Sequence, residues 1–464
     1  LPIWATRTRR KRFPSFPGMV KDSMIRKECI SILAACLLGI SSLPAFAAAP
    51  VIPQMPDRII RAENAKEGLN APSSEKDLVL LTWAENPESV RYEVEIFRGI
   101  PYNLDRNEPL ADHVYDNQRI YTNKVIIDLS KIPAGDGVLY WRVRPIDADW
   151  TGLAPFSAPM EVRSTMKRLG RDAPLPNVYR PENGSSLLYP VYSYAGIPGA
   201  AKYEVEVTDS YPETLSGTAP SAHRVFSRVT SLSNVYDSDP RIGTYYWRVR
   251  GMDETGAPVG EWSLPERVRN DVESRYNVGI FGDSITQGGG HLYHSPADMA
   301  YSYVSYLDFP AVNMGRSGDT VEMMYDRFDR DVLPFHVKYL LIMGGINDLR
   351  MGTSPDKAIE YLEKIRQKCI DHGITPILMT IVPLNPENIQ KYYGETTYAG
   401  WKESVAKVNA YIRTKPYIDT AAPFASFDVM PSEFAMDGIH GDWNAKQMIA
   451  GEINREIGHF IPTY

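Results

Sequence analysis

The chain of 464 residues reads as a multidomain protein: two β-sandwich modules followed by an α/β three-layer domain built on a parallel sheet. Three observations predict this. A set of strand-like motifs occurs twice between residues 50 and 270, at nearly constant spacing. After about Asn270 the pattern changes to short apolar runs alternating with helical stretches. Hydrophobic residues make up 43% and charged residues 23% of the chain, a globular balance that excludes wholesale disorder, collagen and a polytopic membrane protein. At roughly 150 residues per domain, the length suits about three domains.

Residues 1–49 read as a leader. Met24-Ile-Arg26-Lys27 is a short basic start, Ile30 to Leu43 is mostly apolar, and Pro44 with Ala45-Phe46-Ala47 gives a small-x-small cleavage pattern. This is the three-part layout of a secretory signal peptide. The apolar run is too short and interrupted for a span of about 20 residues, and no later stretch is long enough. An exported protein, periplasmic or extracellular, with no integral membrane span after signal cleavage is therefore expected. Leu33-Ala34-Ala35-Cys36 resembles a lipoprotein cleavage box, but the apolar core before it is only about six residues and Leu37-Leu38 follows the cysteine, so a lipid-anchored form is less favoured. Residues 1–18 include Arg9-Arg10-Lys11-Arg12-Phe13 and read as translated upstream sequence, with Met19 or Met24 as the start.

Of the three cysteines, Cys29 and Cys36 lie in the leader, which leaves Cys369. One thiol makes no internal disulfide, and no Cys/His cluster has zinc spacing, so neither a metal nor another cofactor is expected. The net charge is −7. The leader holds eight basic and two acidic residues, leaving 42 against 55, or −13, for the remainder. An acidic body argues against a nucleic-acid partner.

The repeat spans residues 50–163 and 164–270. Tyr92-Glu-Val-Glu-Ile96 recurs as Tyr203-Glu-Val-Glu-Val207, preceded at nine residues by Trp83 and Tyr194. Tyr140-Trp-Arg-Val-Arg144 recurs as Tyr246-Trp-Arg-Val-Arg250, and Phe156-Ser-Ala-Pro159 as Trp262-Ser-Leu-Pro265. The offset is 111 early and 106 late, a five-residue loop change. Apolar and charged residues alternate within the motifs, as in strands with one packed and one wet face, so the arginine pairs read as solvated. The motif set resembles the fibronectin type III family over about 52–163 and 166–269, which implies antiparallel sandwiches. Trp83, Trp141 and Trp247 read as core packing. A spacer role for the modules is the simpler reading, with carbohydrate contact by the β modules as the alternative.

In residues 271–464, Val278-Gly-Ile-Phe281, Ala311-Val-Asn313, Tyr339-Leu-Leu-Ile-Met343 and Ile377 to Val382 read as buried strands. Ser354 and Pro355 open a helix as N-cap and first residue, Ala358, Leu362, Ile365 and Cys369 share its apolar face, and Gly373 ends it. Cys369 is thus a core residue rather than a nucleophile. Strands that are apolar throughout imply a parallel sheet covered on both faces, with ligands at the carboxyl ends of the strands.

The loops at those ends carry unusual residues. They are Gly282-Asp283-Ser284, then Asn313-Met-Gly315-Arg-Ser317-Gly318, then Gly344-Gly345-Ile-Asn347-Asp348, and near the C-terminus Asp437-Gly-Ile-His440. Acyl transfer needs a nucleophile, a base, a group that orients the base, and donors for the developing oxyanion. Ser284 supplies the hydroxyl, His440 the base, and Asp437, three residues earlier, the carboxylate that fixes the imidazole tautomer. The backbone N–H groups of Ser284 and Gly318 and the amide of Asn347 supply oxyanion donors. Asp283 reads as a brace for the serine loop. No Gly-x-Ser-x-Gly surrounds Ser284, since Thr286 stands at the last position, which disfavours a nucleophile elbow. No P-loop pattern occurs.

All four blocks, in order, resemble the SGNH hydrolase superfamily, the GDSL-type esterases. The resemblance implies a flavodoxin-like sheet and hydrolysis of an ester. The residues Gly441-Asp442-Trp443 after His440 depart from the family's frequent Leu or Pro. His291 and His294, in a Gly-rich loop after Ser284, read as loop or substrate contacts, since a third metal ligand is lacking. The loop Asn385 to Trp401 is rich in aromatics, and Tyr398, Trp401 and Arg316 are candidate substrate contacts. Export, attached β modules and the lack of a large apolar lid favour a short acyl ester, acetyl above all, on an acylated small molecule or polysaccharide. Two alternatives stand: a lysophospholipase or thioesterase using the same residues, and a non-catalytic carbohydrate-binding or adhesion protein.

Overall fold

The computed structural model describes residues 76–274, 276–290 and 294–461. The leader with its signal peptide, Cys36 and His291 lie outside the described residues.

The first module comprises β1 (Leu78–Thr82), β2 (Arg91–Arg98), β3 (His113–Ile120), β4 (Lys124–Asp128), β5 (Leu139–Ile146), β6 (Met160–Glu161), the one-turn helix α1 (Val162–Thr165) and β7 (Lys167–Arg168). These strands form two antiparallel sheets, β4-β1-β7 and β3-β2-β5-β6. Val79 and Leu81 from one sheet meet Val94, Ile96, Trp141 and Val143 from the other in a single core. Trp83 and Trp141 lie inside it, 1% and 0% exposed.

The second module repeats the plan with β8 (Leu175–Asn177), β10 (Val191–Ala195), β11 (Lys202–Thr208), β12 (Arg224–Thr230), β13 (Asn234–Tyr236), β14 (Gly243–Met252), β15 (Pro258–Val259) and β16 (Glu266–Asn270), while β9 (Ser186–Leu187) in the same span pairs elsewhere. Its sheets are β13-β10-β8 and β12-β11-β14-β15, with β16 also on β14. Tyr192, Tyr194, Val205, Val207, Trp247 and Val249 form its core.

The charged faces of the repeated strands are not wet. Register sets Glu95 against Arg142 and Glu93 against Arg144, and in the second module Glu206 against Arg248 and Glu204 against Arg250. The Arg142–Glu95 pair, 2.8 Å apart, is fully buried, and Arg248–Glu206 repeats it at 2.8 Å. The physical reason is a covering segment. Asp105 O and Glu108 O accept from the Arg142 guanidinium at 2.7 Å each, and Asn107 O accepts from Arg144. The Phe156 ring lies 4.0 Å from the Arg142 guanidinium carbon. Trp262 does the same for Arg248 and Arg250 at 4.7 and 4.8 Å. The closing aromatic of each repeat is therefore a lid on a buried charge pair, where a cation–π contact is strongest.

The third domain is built on β17 (Val278–Gly282), β18 (Ala311–Gly315), β19 (Tyr339–Met343), β20 (Thr375–Met379) and β21 (Tyr417–Ile418). With β9 they form one six-stranded parallel sheet in the order β21-β20-β19-β17-β18-β9. Its edge strand β9 comes from within the span expected for the second module, and Leu188 and Tyr189 enter the third domain's core. Every residue of β17 and β18 is buried, as cover on both faces requires.

The helices are α2 (Ser284–Gln287), α3 (Val321–Asp331), α4 (Ile346–Arg350), α5 (Pro355–Asp371), α6 (Pro386–Tyr393), α7 (Trp401–Ile412) and α8 (Trp443–Ile457). Helices α3, α5 and α7 pack in series, and α8 packs on the 3-10 turns of residues 299–306 and on β21. Ser354 Oγ caps α5 from outside, and Ala358, Leu362, Ile365 and Cys369 are its buried face. Burial pushes the Cys369 thiol up to about 12, so it is an inert core group. The segment expected as a loop from Asn385 to Trp401 is half helical, because Asn385 caps α6 and Pro386 occupies its first turn. Among the described residues no helix is long and apolar enough to cross a membrane.

Candidate active site

Strand register brings three of the four blocks to one level. Gly282 at the end of β17 pairs with Gly315 of β18 and Met343 of β19, so the three following loops leave the sheet side by side. Ser284 is the first residue of α2, and Asp283 Oδ1 caps that turn by accepting the Ile285 N–H at 2.9 Å. The second block packs directly on this helix. A Cβ on Gly315 would fall 2.1 Å from Gln287 N, so no side chain fits there. Asn313 Nδ2 donates to Thr286 O at 2.7 Å. Gln287 clamps the same region: its Oε1 accepts the Ser317 N–H at 2.8 Å and its Nε2 donates to Tyr189 O at 3.1 Å. Gly318 follows with φ +84°, which favours glycine, and a Cβ there would meet open space. Asn347, on α4, donates from Nδ2 to Asp319 O at 3.0 Å and accepts at Oδ1 from Arg350 Nε at 3.2 Å. Its second Nδ2 hydrogen remains for a ligand.

The fourth block completes the set. His440 Nε2 lies 2.9 Å from Ser284 Oγ, and His440 Nδ1 lies 2.8 Å from Asp437 Oδ2. Asp437 is 0% exposed. Its Oδ1 accepts the N–H groups of Ile439 and His440 at 2.8 Å each, and its Oδ2 also accepts the Tyr393 hydroxyl at 2.5 Å. Burial alone would raise this carboxyl. The His440 charge and hydrogen bond, the Tyr393 hydroxyl and the Ile439 N–H outweigh it and hold Asp437 well below the usual carboxylate range. An ionised Asp437 only accepts, so Nδ1 carries the imidazole proton and Nε2 is left bare toward the serine hydroxyl.

Residues 280–442 match the sequence model of the GDSL-like lipase/acylhydrolase family. The C-terminal region is a GDSL-like acylhydrolase domain. Over 120 residues the chain is 35% identical to the uncharacterized lipoprotein YqeF of Bacillus subtilis strain 168, a match covering 23% of this chain. The chain spans about half the length of that curated relative, 49%. Among solved structures it is similar to a lipase/acylhydrolase from Enterococcus faecalis, at 24% identity and TM-score 0.34, covering 41% of this chain and 99% of that one. It is also similar to the acetylxylan esterase Axe2 from Geobacillus stearothermophilus, at 21% identity and TM-score 0.32, covering 39% and 93%.

Around Ser284, His440 and Asp437 the other candidates divide. Arg316, its side chain 39% exposed, lies 3.8 Å from Asp319 in the Gly318 loop. Tyr398 is 49% exposed, and its N–H donates to Arg350 O, which sets it beside the Asn347 helix. Trp401 is a correction. It begins α7 and is 5% exposed within the acylhydrolase core, so it offers substrate no open face. His294 is buried, with Nε2 2.9 Å from Ser89 O of the first module, and is a domain contact. Among the described residues Glu93, Glu95 and Asp116 bring their carboxylates close enough for a metal, but both glutamates already pair with arginines.

Sequence reasoning missed the contacts of three residues packed around this candidate site. Tyr393 was legible in principle, since Asn385-Pro386-Glu387 is a helix-start pattern that places it on a helix rather than a loop. Gln287 carries no such signal. Lys446, fully buried on α8, donates to Ile285 O at 3.2 Å. Burial lowers its ammonium to about 8, against the raising charges of Asp442, Asp437 and Asp283.

Proposed function

We propose that the protein is an exported serine esterase that removes short acyl groups, acetyl above all, from carbohydrate. The observation that carries the reading is the continuous relay Asp437–His440–Ser284, with links of 2.8 and 2.9 Å. Ser284 Oγ attacks the ester carbonyl carbon while its proton passes to His440 Nε2. Asp437 stabilises the resulting imidazolium. The carbonyl oxygen takes the negative charge and is met by the N–H groups of Ser284 and Gly318 and by Asn347 Nδ2. The imidazolium then protonates the departing alkoxide. Water, deprotonated by His440, hydrolyses the acyl-serine and restores the hydroxyl. No metal or cofactor enters these steps.

Arg316 and Tyr398 are the substrate contacts in this reading, since both stay open to solvent beside the oxyanion loops. The two β modules are fibronectin type III-like sandwiches, and the acylhydrolase sheet is flavodoxin-like. The signal-peptide pattern of residues 24–47 is the ground for export.

The test is hydrolysis of p-nitrophenyl acetate, butyrate and octanoate by wild type and Ser284→Ala, followed by acetate release from acetylated polysaccharides. A steep preference for acetate, abolished in the variant, is expected. Preference for octanoate would favour the lipid acyl hydrolase, and equal background from both proteins would favour a binding protein.

A further inference from the structure

The first β module reaches the acylhydrolase domain through the turn between β1 and β2. Tyr301 donates its hydroxyl to Pro87 O at 2.5 Å. His294 stacks on Tyr301, ring centroids 3.9 Å apart, and contacts Ser89 O at 2.9 Å. Its Nδ1 lies 3.8 Å from Asp442, two residues beyond the catalytic base. The same stretch of the module holds a second loop. Val90 N–H donates to Ile146 O at 3.0 Å, and Arg91 donates to Ala148 O at 3.4 Å. The turn of residues 147–151 is thereby fixed beside the docking contact.

That turn carries Trp150, which is 45% exposed and adopts φ +65°. For a bulky residue the left-handed region is strained, so surrounding structure must impose it. Here Asp147 Oδ1 accepts the N–H groups of Asp149 and Thr151 at 2.9 and 2.8 Å, and Asp147 N–H donates to Thr151 O at 3.0 Å. The Arg91 guanidinium covers one face of the indole, 3.7 Å from its centroid. The Arg119 guanidinium lies farther off, 5.9 Å from the same centroid, and the residue keeps its exposure beside these two contacts. Asp149 is exposed next to it. The acylhydrolase side feels this turn. Tyr392 is pushed up to about 12 by burial first, then by the charge of Asp149, then by those of Asp437, Asp442 and Asp147. The charges of the module's turn and of Asp437 thus both act on Tyr392.

An exposed indole held rigid, in a turn that also exposes the neighbouring Asp149, suits a sugar ring, whose C–H face stacks on the aromatic while its hydroxyls donate to a carboxylate. A fatty acyl chain would need an apolar trough, and this turn offers charge instead. We propose that Trp150 is a saccharide-binding platform at the rim of the acylhydrolase site, so that the first β module selects acylated carbohydrate rather than only spacing the domain. The inference rests on the carbohydrate-esterase reading above.

The experiment compares full-length wild type, Trp150→Ala and Trp150→Phe on acetylated xylo-oligosaccharides and on p-nitrophenyl acetate. Trp150→Ala is expected to raise KM for the oligosaccharides about tenfold or more with kcat retained, to leave p-nitrophenyl acetate kinetics unchanged, and to be largely rescued by Phe. Equal KM for the oligosaccharides in wild type and Trp150→Ala would overturn the proposal alone. A parallel loss on both substrates would also overturn it, since Trp150 would then act through structure. Wild type that cleaves p-nitrophenyl acetate but none of the acetylated saccharides would remove the carbohydrate-esterase reading itself, and the proposal with it.

Discussion

Tyr393 and His440 converge on one oxygen: the phenol hydroxyl lies 2.5 Å and the imidazole Nδ1 2.8 Å from Oδ2 of Asp437, with 3.3 Å between the two donors. The carboxylate is therefore held by a second donor besides the imidazole. On the proposed mechanism Tyr393 is a positioning residue for Asp437 and His440.

Tyr393→Phe removes one donor from a buried charge, a loss of about 1.5–3 kcal/mol for a charged hydrogen bond. If the loss falls on the transition state, kcat drops roughly tenfold to a hundredfold with KM little changed. Asp437→Asn, which no longer favours the Nδ1–H tautomer, is expected to cost about 10⁴ in kcat. Steady-state kinetics on p-nitrophenyl acetate checks both, and a fall in KM-controlled binding alone would contradict the assignment.

Asn347 plays two parts through one amide nitrogen. It ties α4 to the Gly318 loop through Asp319 O and, on the proposed mechanism, keeps a hydrogen for the oxyanion. Asn347→Ala is expected to lower kcat by about 10²–10³, as loss of an oxyanion donor does. Asn347→Asp supplies a negative charge where one develops and should be at least as damaging. Single-turnover acylation rates separate this from a change in product release.

The strand ends that carry Ser284, Gly318 and Asn347 were legible because buried parallel strands are apolar throughout and turn residues punctuate them sharply. The face of α5 was legible because Ala358, Leu362, Ile365 and Cys369 keep helical spacing. Periodicity is local, however, and cover is not. Alternation in Tyr92 to Ile96 says that two faces differ. It cannot say that residues 105–108 and Phe156 close over the charged one. Trp401 failed for the same reason, since its burial is decided by the core it joins. Strand β9 is two residues long, too short for any pattern, and exists only through pairing with β18, more than a hundred residues away.

The buried arginine pairs make a stability prediction. In Glu95→Ala the Arg142 guanidinium keeps its carbonyl acceptors but loses its counter-charge in a site closed to water. Breaking one side of such a pair costs about 3–5 kcal/mol, whereas replacing both by apolar residues of similar volume is often close to neutral. Glu95→Ala should lower the urea midpoint of the first module's unfolding transition, and Glu95→Leu with Arg142→Met should recover most of it. Equal midpoints for wild type and Glu95→Ala would mean that water reaches the pair.

Asp283 makes the serine loop sensitive to pH. It is 1% exposed, its Oδ1 is occupied by the Ile285 N–H, and its Oδ2 is buried without a hydrogen-bond partner. Burial, with smaller contributions from Asp319 and Asp348, raises its carboxyl to about 7 against the opposing pull of the Ile285 N–H and His440. The unfolded chain releases this proton near pH 4, so between about pH 4 and 7 the native state binds more protons than the unfolded one. The contribution is thus fully present below about pH 4 and is lost as pH rises through about 7, a change on the order of 4 kcal/mol. Asp283→Asn keeps the acceptor for Ile285 and cannot ionise. Urea unfolding at pH 4.5 and 7.5 should therefore show wild type losing stability relative to Asp283→Asn at the higher pH. An unchanged difference between the two proteins would mean that Asp283 is ionised throughout, with its charge compensated inside the loop.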